Sequence, residues 1–198
     1  MDSEYKKYIP EKAIPFVAFL ISEHNFSLKI VNQRQTKHGD FKQLSSNRFQ
    51  ITINNNLNKL QFLLTLIHEI AHYVTHQKFG RVQPHGKQWK AVFQHLMLPF
   101  LRPEIYPKEV LPHLANYLKN PKASTDSDIN LSLALKGNTA KKGTNFIFEL
   151  TPECLFLYKN MLYKKGNKRR TRFECIRIQN KKTYLFHHNT EVVIYDQQ

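Results

Sequence analysis

A segment near the middle of the chain carries two histidines and a glutamate at a spacing that suits metal-assisted hydrolysis. His68, Glu69 and His72 stand in the order His-Glu-Ile-Ala-His. Residues four apart share one face of an α-helix, so both imidazoles can reach one Zn²⁺ ion while the glutamate projects beside them. Zinc activates water for attack on a carbonyl, and a neighbouring carboxylate can take the proton. The segment therefore predicts His68 and His72 as zinc ligands and Glu69 as the general base, against the alternative of two exposed or core histidines.

A catalytic zinc needs a third protein ligand, and the sequence excludes two kinds. A histidine six residues after the second, as in metzincins, would stand at position 78, which is Lys78, and the glycine expected at 75 is Thr75. A downstream carboxylate is also hard to supply, because no Asp or Glu occurs between Glu69 and Glu104. The third ligand is therefore expected to be another histidine.

Three histidines are candidates for the third zinc ligand. His76 would lie about 12 Å along the helix from His68, too far to share one ion, and suits the negative end of the helix dipole instead. His85 follows the helix by a turn rich in Gly and Pro that can fold the chain back over the metal. His95 would project from the far end of the next helix. We therefore predict His85 as the third ligand, with a loop histidine at a helix N-terminus as the alternative.

The elements around these residues are predicted from hydrophobic periodicity. Two segments alternate as half-buried strands that pair, and several others have helical spacing. The strands are 26–30 and 48–53; the helices are 11–23, a long one after the capping residues 54–56 that ends near Gly80, a second over 86–98 stopped by Pro99, and another near 108–118. The first 120 residues are therefore predicted to be α+β.

The rest of the chain differs in composition. Residues 121–144 are mostly small, polar and turn-forming, which predicts a linker with a short apolar segment. Residues 145–198 contain several short apolar runs typical of strands. We predict a domain over 1–120, a linker over 121–144 and a small β-rich domain over 145–198.

The segment from Lys29 to Met97 resembles the SprT-like, Spartan-related family of zinc metallopeptidases. A strand pair, the His-Glu-x-x-His helix and a later His-Gly-x-x-aromatic-Lys segment that starts at His85 stand in the family's order. The resemblance implies a zincin-like core of helices and a small antiparallel sheet, protein substrates, and one catalytic zinc. Within the family the ligands would map onto His68, His72 and His85, and the catalytic glutamate onto Glu69.

The C-terminal region departs from the bacterial members of this family, which often end in a zinc ribbon with two Cys-x-x-Cys knuckles. Only Cys154 and Cys175 stand here, and a four-ligand site would have to recruit His187 or His188. We expect instead a ribbon-like β domain that folds without metal and buries the cysteines in its core.

Thirty Lys and Arg against fifteen Asp and Glu give a formal charge of +15, which predicts attraction to polyanions. Basic residues are concentrated around a predicted hairpin turn at Gly166-Asn167, with Tyr163 and Phe173 available to stack on unpaired bases. We predict a nucleic-acid site for DNA, including single-stranded DNA; the alternatives are a solvated strand face or a site for an acidic protein. The predicted binding residues are Lys164, Lys165, Lys168, Arg169, Arg170 and Arg172.

These patterns together favour a metalloprotease that cleaves proteins on or near nucleic acid. Two alternatives are a nucleic-acid-binding protein with a non-catalytic structural zinc site, which would have no need of Glu69, and a zinc hydrolase acting on a non-peptide bond.

No apolar run approaches the roughly 20 residues of a membrane helix, the N-terminal segment has no signal-peptide pattern, and two cysteines make no disulfide scaffold. We expect a cytoplasmic protein with no membrane contact.

Overall fold

The computed structural model describes residues 4–34, 36–137, 143–170 and 172–195. The described chain is α+β and divides into two compact units, Met1–Ala123 and Ser124–Gln198. Its α-helices are α1 (Ile14–Ser22), α2 (Lys59–Phe79), α3 (Lys87–Met97), α4 (Leu111–Lys119) and α5 (Ile129–Lys136). Single 3-10 turns cover Glu4–Tyr8, Glu11–Ala13, Leu98–Phe100, Thr125–Ser127 and Ile147–Glu149. Each helix in this part of the chain is too short or too polar to cross a membrane.

The first unit contains a three-stranded sheet. Its strands are β1 (Ser27–Val31), β2 (Gly39–Ser45) and β3 (Arg48–Asn54), in the order β1-β3-β2. The predicted pairing of the two flanking strands is confirmed, but the expected antiparallel arrangement is wrong for them: β1 runs parallel to β3, with Ser27 opposite Gln50. The reason is that the segment between them forms β2, which reverses the chain and pairs antiparallel with β3 on the other side.

Helix α2 is the central element of the first unit. The predicted long helix is confirmed, and its N-cap is Asn58, whose side chain accepts hydrogen bonds from the N–H groups of Leu60 and Gln61, rather than residues 54–56. The helix ends at Gly80, which has a φ of 66° that a residue with a side chain rarely adopts. Twelve of its 21 residues are buried, so the helix is enclosed on most sides by the rest of the unit.

The first α-helix of the second unit, α5, lies inside the segment predicted to be a linker. The apolar residues of that segment form a helix, with Leu131 and Leu135 buried and Asp128 accepting a hydrogen bond from the N–H of Leu131 at its start. Residues 138–142 of the predicted linker lie outside the described residues.

A six-stranded sheet forms the rest of the second unit, in the order β4-β9-β5-β6-β7-β8. One face carries an apolar core that includes Phe156, Tyr163, Cys175 and Phe186. The predicted β-rich character of this region is therefore present in the fold. The strands are β4 (Asn145–Phe146), β5 (Leu155–Tyr158), β6 (Met161–Arg169), β7 (Arg172–Arg177), β8 (Thr183–His187) and β9 (Glu191–Ile194).

The hairpin between β6 and β7 does not turn at Gly166-Asn167, as the sequence analysis predicts. Lys165 pairs with Cys175 and Lys168 with Phe173, so β6 has one extra residue between these pairs and Gly166-Asn167 lie in a β-bulge. A Cβ atom on Gly166 would lie 2.7 Å from a backbone oxygen of β7, which explains a glycine here without a turn.

Candidate metal centre

Three residues of the site lie in the middle of α2, where the helix is best protected from water. His68 and Glu69 are buried and His72 is partly buried. Because His68 and His72 are one turn apart, their rings lie side by side, with centroids 4.9 Å apart. The geometry of the helix alone thus fixes the separation of the two imidazoles.

His85 reaches the same point from the loop between α2 and α3. The loop turns sharply after Gly80, and the N–H of Gly86 donates to the carbonyl of Gln83. His85 itself has a φ of 58°, in the left-handed region that residues with a side chain seldom adopt. This backbone turn directs the His85 ring back toward α2, where its centroid lies 4.6 Å from that of His72.

The three imidazoles converge through the same nitrogen atom. Their Nε2 atoms are 3.1 Å apart for His68 and His85, 3.2 Å for His68 and His72, and 3.0 Å for His72 and His85. Three nitrogens around one tetrahedral zinc at about 2.0–2.1 Å would be about 3.3 Å apart. The donor set therefore fits a metal ion, and it is the group of potential ligands found among the described residues.

Burial also keeps these histidines in the form that binds metal. Burial lowers the pKa of His68 well below its ordinary value and, with a contribution from His85, lowers that of His72 to about 4. The pKa of His85 is lowered as well, by burial and by the nearby Lys90 ammonium. A neutral imidazole has the free lone pair that coordination requires.

Trp89 of α3 supports all three rings. It is almost fully buried, and its centroid lies 4.6 Å from His68, 5.2 Å from His72 and 4.7 Å from His85. Phe93, one turn further along α3, stacks on Trp89 at 5.0 Å and contacts the His68 ring. This aromatic packing restricts the imidazoles to the orientation in which their nitrogens converge.

Strand β2 contacts the side chain of Glu69 and holds it in place. The backbone N–H of Phe41 donates a hydrogen bond to the Glu69 carboxylate, and a Cβ atom on Gly39 would lie 2.7 Å from Glu69 Oε1. The same Cβ would lie 2.8 Å from Cγ2 of Thr65, one turn earlier in α2. Glycine at position 39 is therefore what allows the strand to lie directly against the carboxylate.

The carboxyl group of Glu69 is strongly perturbed. Burial raises its pKa to about 8, the neighbouring Asp40 carboxylate adds to the rise, and the charges of Arg34 and Lys37 oppose it. Arg34 is fixed by hydrogen bonds to the side chains of Thr52 and Asn54 on β3. A bound divalent cation would lower this pKa further by favouring the charged carboxylate.

The two histidines rejected by the sequence analysis lie elsewhere. His76 packs against the rings of Phe41 and Phe49, at 5.9 and 5.7 Å. His95 lines a separate apolar cleft with Phe16 and Phe100. The structure thus brings together His68, His72 and His85 and leaves both competing histidines outside the group.

The predicted nucleic-acid-binding residues do not all share one exposed surface. Lys168, Arg169, Arg170 and Arg172 are exposed at the end of the β6–β7 hairpin, and Arg169 pairs with Glu174 at 3.1 Å. Lys164 is partly exposed and pairs with Glu153.

Lys165 does not fit the predicted exposed cluster, because it is buried. Its ammonium donates to the carbonyl of Leu150 and lies 4.4 Å from the centre of the Phe173 ring. Tyr163 and Phe173, expected to stack on bases, are buried in the core as well. The reason is strand alternation: these residues point to the inner face of the sheet.

The two cysteines lie on either side of Lys165. Lys165 is opposite Cys175 on β7, and its backbone N–H donates to the carbonyl of Cys154 on its other side. Cys175 is fully buried and Cys154 packs against the same core. His187 is the last residue of β8 and His188 follows it, with their rings 4.1 Å apart.

Two parts of the site escaped the sequence analysis. Strand β2 reads as a polar stretch, although Phe41 within it is an apolar residue between polar neighbours. The packing role of Trp89 could have been predicted from the sequence, since this aromatic residue stands four positions after His85, on the first turn of the next helix.

Comparison with known proteins agrees with the motifs. Residues 14–109 match the SprT-like family, which confirms the predicted resemblance. Short stretches are similar to proteins named Protein SprT. The protein from Vibrio atlanticus (strain LGP32) is 63% identical over 27 residues, which cover 14% of this chain and 16% of the relative. The protein from Pasteurella multocida (strain Pm70) is 47% identical over 38 residues, which cover 19% of this chain and 22% of the relative. The chain thus aligns with less than a quarter of these relatives' length. No solved structure matches the chain.

Proposed function

Because residues 14–109 match the SprT-like family, we propose that this chain is a zinc-dependent metalloprotease of the SprT type that cleaves proteins associated with nucleic acid. One catalytic zinc is held by His68, His72 and His85 in a zincin-like core, and Glu69 is the general base. The observation that carries the proposal is the convergence of three Nε2 atoms within 3.0–3.2 Å beside a buried carboxylate.

The zinc ion and the residues around it would have different roles in the reaction. When bound, zinc supplies Lewis-acid polarisation of a carbonyl and makes a water molecule more acidic. Glu69 accepts a proton from the attacking water at a carboxylate oxygen and delivers it to the leaving amine nitrogen as the peptide C–N bond breaks. The N–H of Phe41 and the backbone of Gly39 hold that carboxylate in place.

The ligand count supports catalysis over a purely structural site. Structural zinc sites normally have four protein ligands, whereas catalytic sites have three and keep one position open. Three histidines form the group found within the described residues, and Glu69 is not one of them. A buried carboxylate beside three ligands is the arrangement that hydrolysis requires.

The nucleic-acid part of the proposal rests on charge. The chain carries a formal +15, and the exposed end of the β6–β7 hairpin presents Lys168, Arg169, Arg170 and Arg172. Such residues contact phosphates without reading sequence. DNA, including single-stranded DNA, would thus concentrate the protease near proteins bound to the same strand.

Replacing Glu69→Gln tests the catalytic role directly. We expect cleavage of unfolded casein, with and without single-stranded DNA, to fall by about 10²–10⁴-fold, since the amide cannot accept the proton. Zinc content per chain should stay at the wild-type level because Glu69 is not a ligand. Glu104→Gln, at an exposed glutamate, is the matched control and should cleave normally. Wild-type cleavage by Glu69→Gln would overturn the proposal.

A further inference from the structure

A pocket next to the three histidines is lined mostly by residues to which the proposed chemistry gives no role. It has a volume of about 150 Å³ and lies between Phe41 of β2, the C-terminal part of α2, the following loop and Trp89. This exceeds the roughly 10–15 Å³ that one water molecule needs. His72 and Trp89 belong both to the pocket and to the metal centre. The pocket therefore opens beside the point where a scissile bond would be held.

Two polar groups of the pocket residues are buried without a hydrogen-bond partner among the described residues. They are the hydroxyl of Thr75 and the indole N–H of Trp89, whose residues are only 3% and 1% exposed. Buried polar groups nearly always have partners in folded proteins. The indole N–H can only donate, and the hydroxyl can do so too, so the missing partner must supply acceptor atoms.

The charge around the pocket indicates which acceptor fits. Arg81 and His76 lie in its lining, none of its described lining residues is acidic, and the chain has no Asp or Glu between Glu69 and Glu104. Phe41 and Val82 provide apolar walls that suit a methylene stem. Among the described lining residues a carboxylate finds the cationic side chain of Arg81, whereas an ammonium would find no group of opposite charge.

We propose that this pocket receives an acidic side chain of the protein substrate, at a residue adjacent to the cleaved bond. The inference rests on the proposed protease function for the position of that bond. Successive residues of an extended chain are about 3.3 Å apart, so a residue flanking the bond near His72 lies within reach of the pocket. Thr75, Arg81 and Trp89 then determine specificity, and none of them takes part in the proton transfer.

Binding can be measured without turnover, because Trp89 is the single tryptophan of the chain. The zinc-loaded Glu69→Gln protein is titrated with acetyl-Ala-Ser-Ala-Glu-Ala-Ser-Ala-amide and with the same peptide carrying Gln or Lys in place of Glu. We expect the Glu peptide to change the tryptophan emission and to bind about tenfold more tightly than the Lys peptide.

Three variants and a control locate the effect. Thr75→Val, which keeps the side-chain shape, and Arg81→Gln, at an exposed position, should each weaken binding of the Glu peptide several-fold. Arg81→Glu should reverse the preference toward the Lys peptide. Lys78→Gln, at an exposed lysine of the same helix outside the pocket, should leave all affinities unchanged.

Cleavage of the same peptides by the wild type separates the two proposals. A preference for the Glu peptide in kcat/KM that is lost through KM in Thr75→Val supports the pocket. Acid-selective binding without cleavage of any peptide or of casein would overturn the protease function and still support the pocket. Cleavage with equal kcat/KM for all three peptides, and no selective change in tryptophan emission, would overturn the pocket and leave the protease function standing.

Discussion

His85 differs from the other two histidines in how it is positioned. His68 and His72 are fixed by the geometry of α2, whereas His85 depends on a loop residue with a φ of 58°. Such a backbone costs on the order of 1–3 kcal/mol and persists where surrounding structure holds it. The loop between Gly80 and Gly86 and the Trp89 ring provide that support. His85 could be predicted by elimination and from the turn with Gly80 and Pro84 before it, but nothing in the sequence indicates the left-handed backbone at His85 that directs the ring.

Substituting His85→Ala should therefore affect the metal before anything else. We expect zinc affinity to fall by at least about 100-fold, since loss of even a group that supports a ligand costs 10–100-fold. Competition with a chromogenic chelator measures the affinity. His95→Ala, at an exposed histidine outside the group, should bind zinc like the wild type. Equal affinity in both variants would remove His85 from the ligand set.

Lys165 is a core residue of the second unit and has no place in the basic surface. Burial lowers the pKa of its ammonium, which the Leu150 carbonyl and the Phe173 ring contact. Lys165→Ala should lower the free energy of unfolding by about 2–4 kcal/mol, because it leaves a cavity and an unpaired carbonyl. Lys168→Ala, on the exposed part of the same strand, should change it by less than about 0.5 kcal/mol. Chemical denaturation of both variants tests this, and equal stabilities would contradict the buried placement.

At the level of elements, helices were easier to predict than strands. Helix α2 has an apolar face, a capping asparagine and a terminal glycine, all of them local signals. Strand β2 has none of these: its sequence is Gly-Asp-Phe-Lys-Gln-Leu-Ser, and it becomes a strand through pairing with β3 and packing against α2. Such tertiary context regularly decides strand formation. The same limit explains the β6–β7 hairpin, where Gly166-Asn167 has turn-like residues but lies in a bulge.

The contact between β2 and Glu69 predicts that Gly39→Ala impairs hydrolysis. A methyl group would lie within 2.8 Å of both Thr65 and Glu69, so the strand or the carboxylate must move. We expect kcat to fall by about 100-fold, as displacements of roughly 1 Å can cause, with zinc content unchanged. Leu44→Ala, at an exposed side chain of the same strand, is the control for general effects on β2. Normal kcat in Gly39→Ala would show that β2 does not position the base.

For the whole molecule, composition indicated a polyanion partner but not the surface that binds it. The structure separates exposed from buried basic residues, since Lys168, Arg169, Arg170 and Arg172 face solvent and Lys165 does not. The basic cluster is thus smaller than the sequence suggested, because strand alternation places every second residue inside. The cluster and the metal centre belong to different units of the chain.

Charge reversal at these four residues should therefore weaken DNA binding without changing the metal. We expect the slope of log affinity against log salt to decrease in magnitude by roughly 0.7 per lost phosphate contact on single-stranded DNA. Fluorescence anisotropy at several salt concentrations gives both affinity and slope. Charge reversal at Lys6, Lys7, Lys12 and Lys108, four exposed lysines of the first unit, controls for net charge. An equal loss of slope in both variants would place binding elsewhere.

Metal content per chain decides whether the three histidines hold a zinc ion. Wild-type protein and the His68→Ala variant are purified alike, loaded with zinc, passed through a desalting column and analysed by plasma mass spectrometry. We expect about one zinc per wild-type chain and a large loss in His68→Ala, because the remaining two histidines cannot supply the three ligands of a catalytic site. A wild-type chain without zinc, or a His68→Ala variant that retains the full amount, would contradict it.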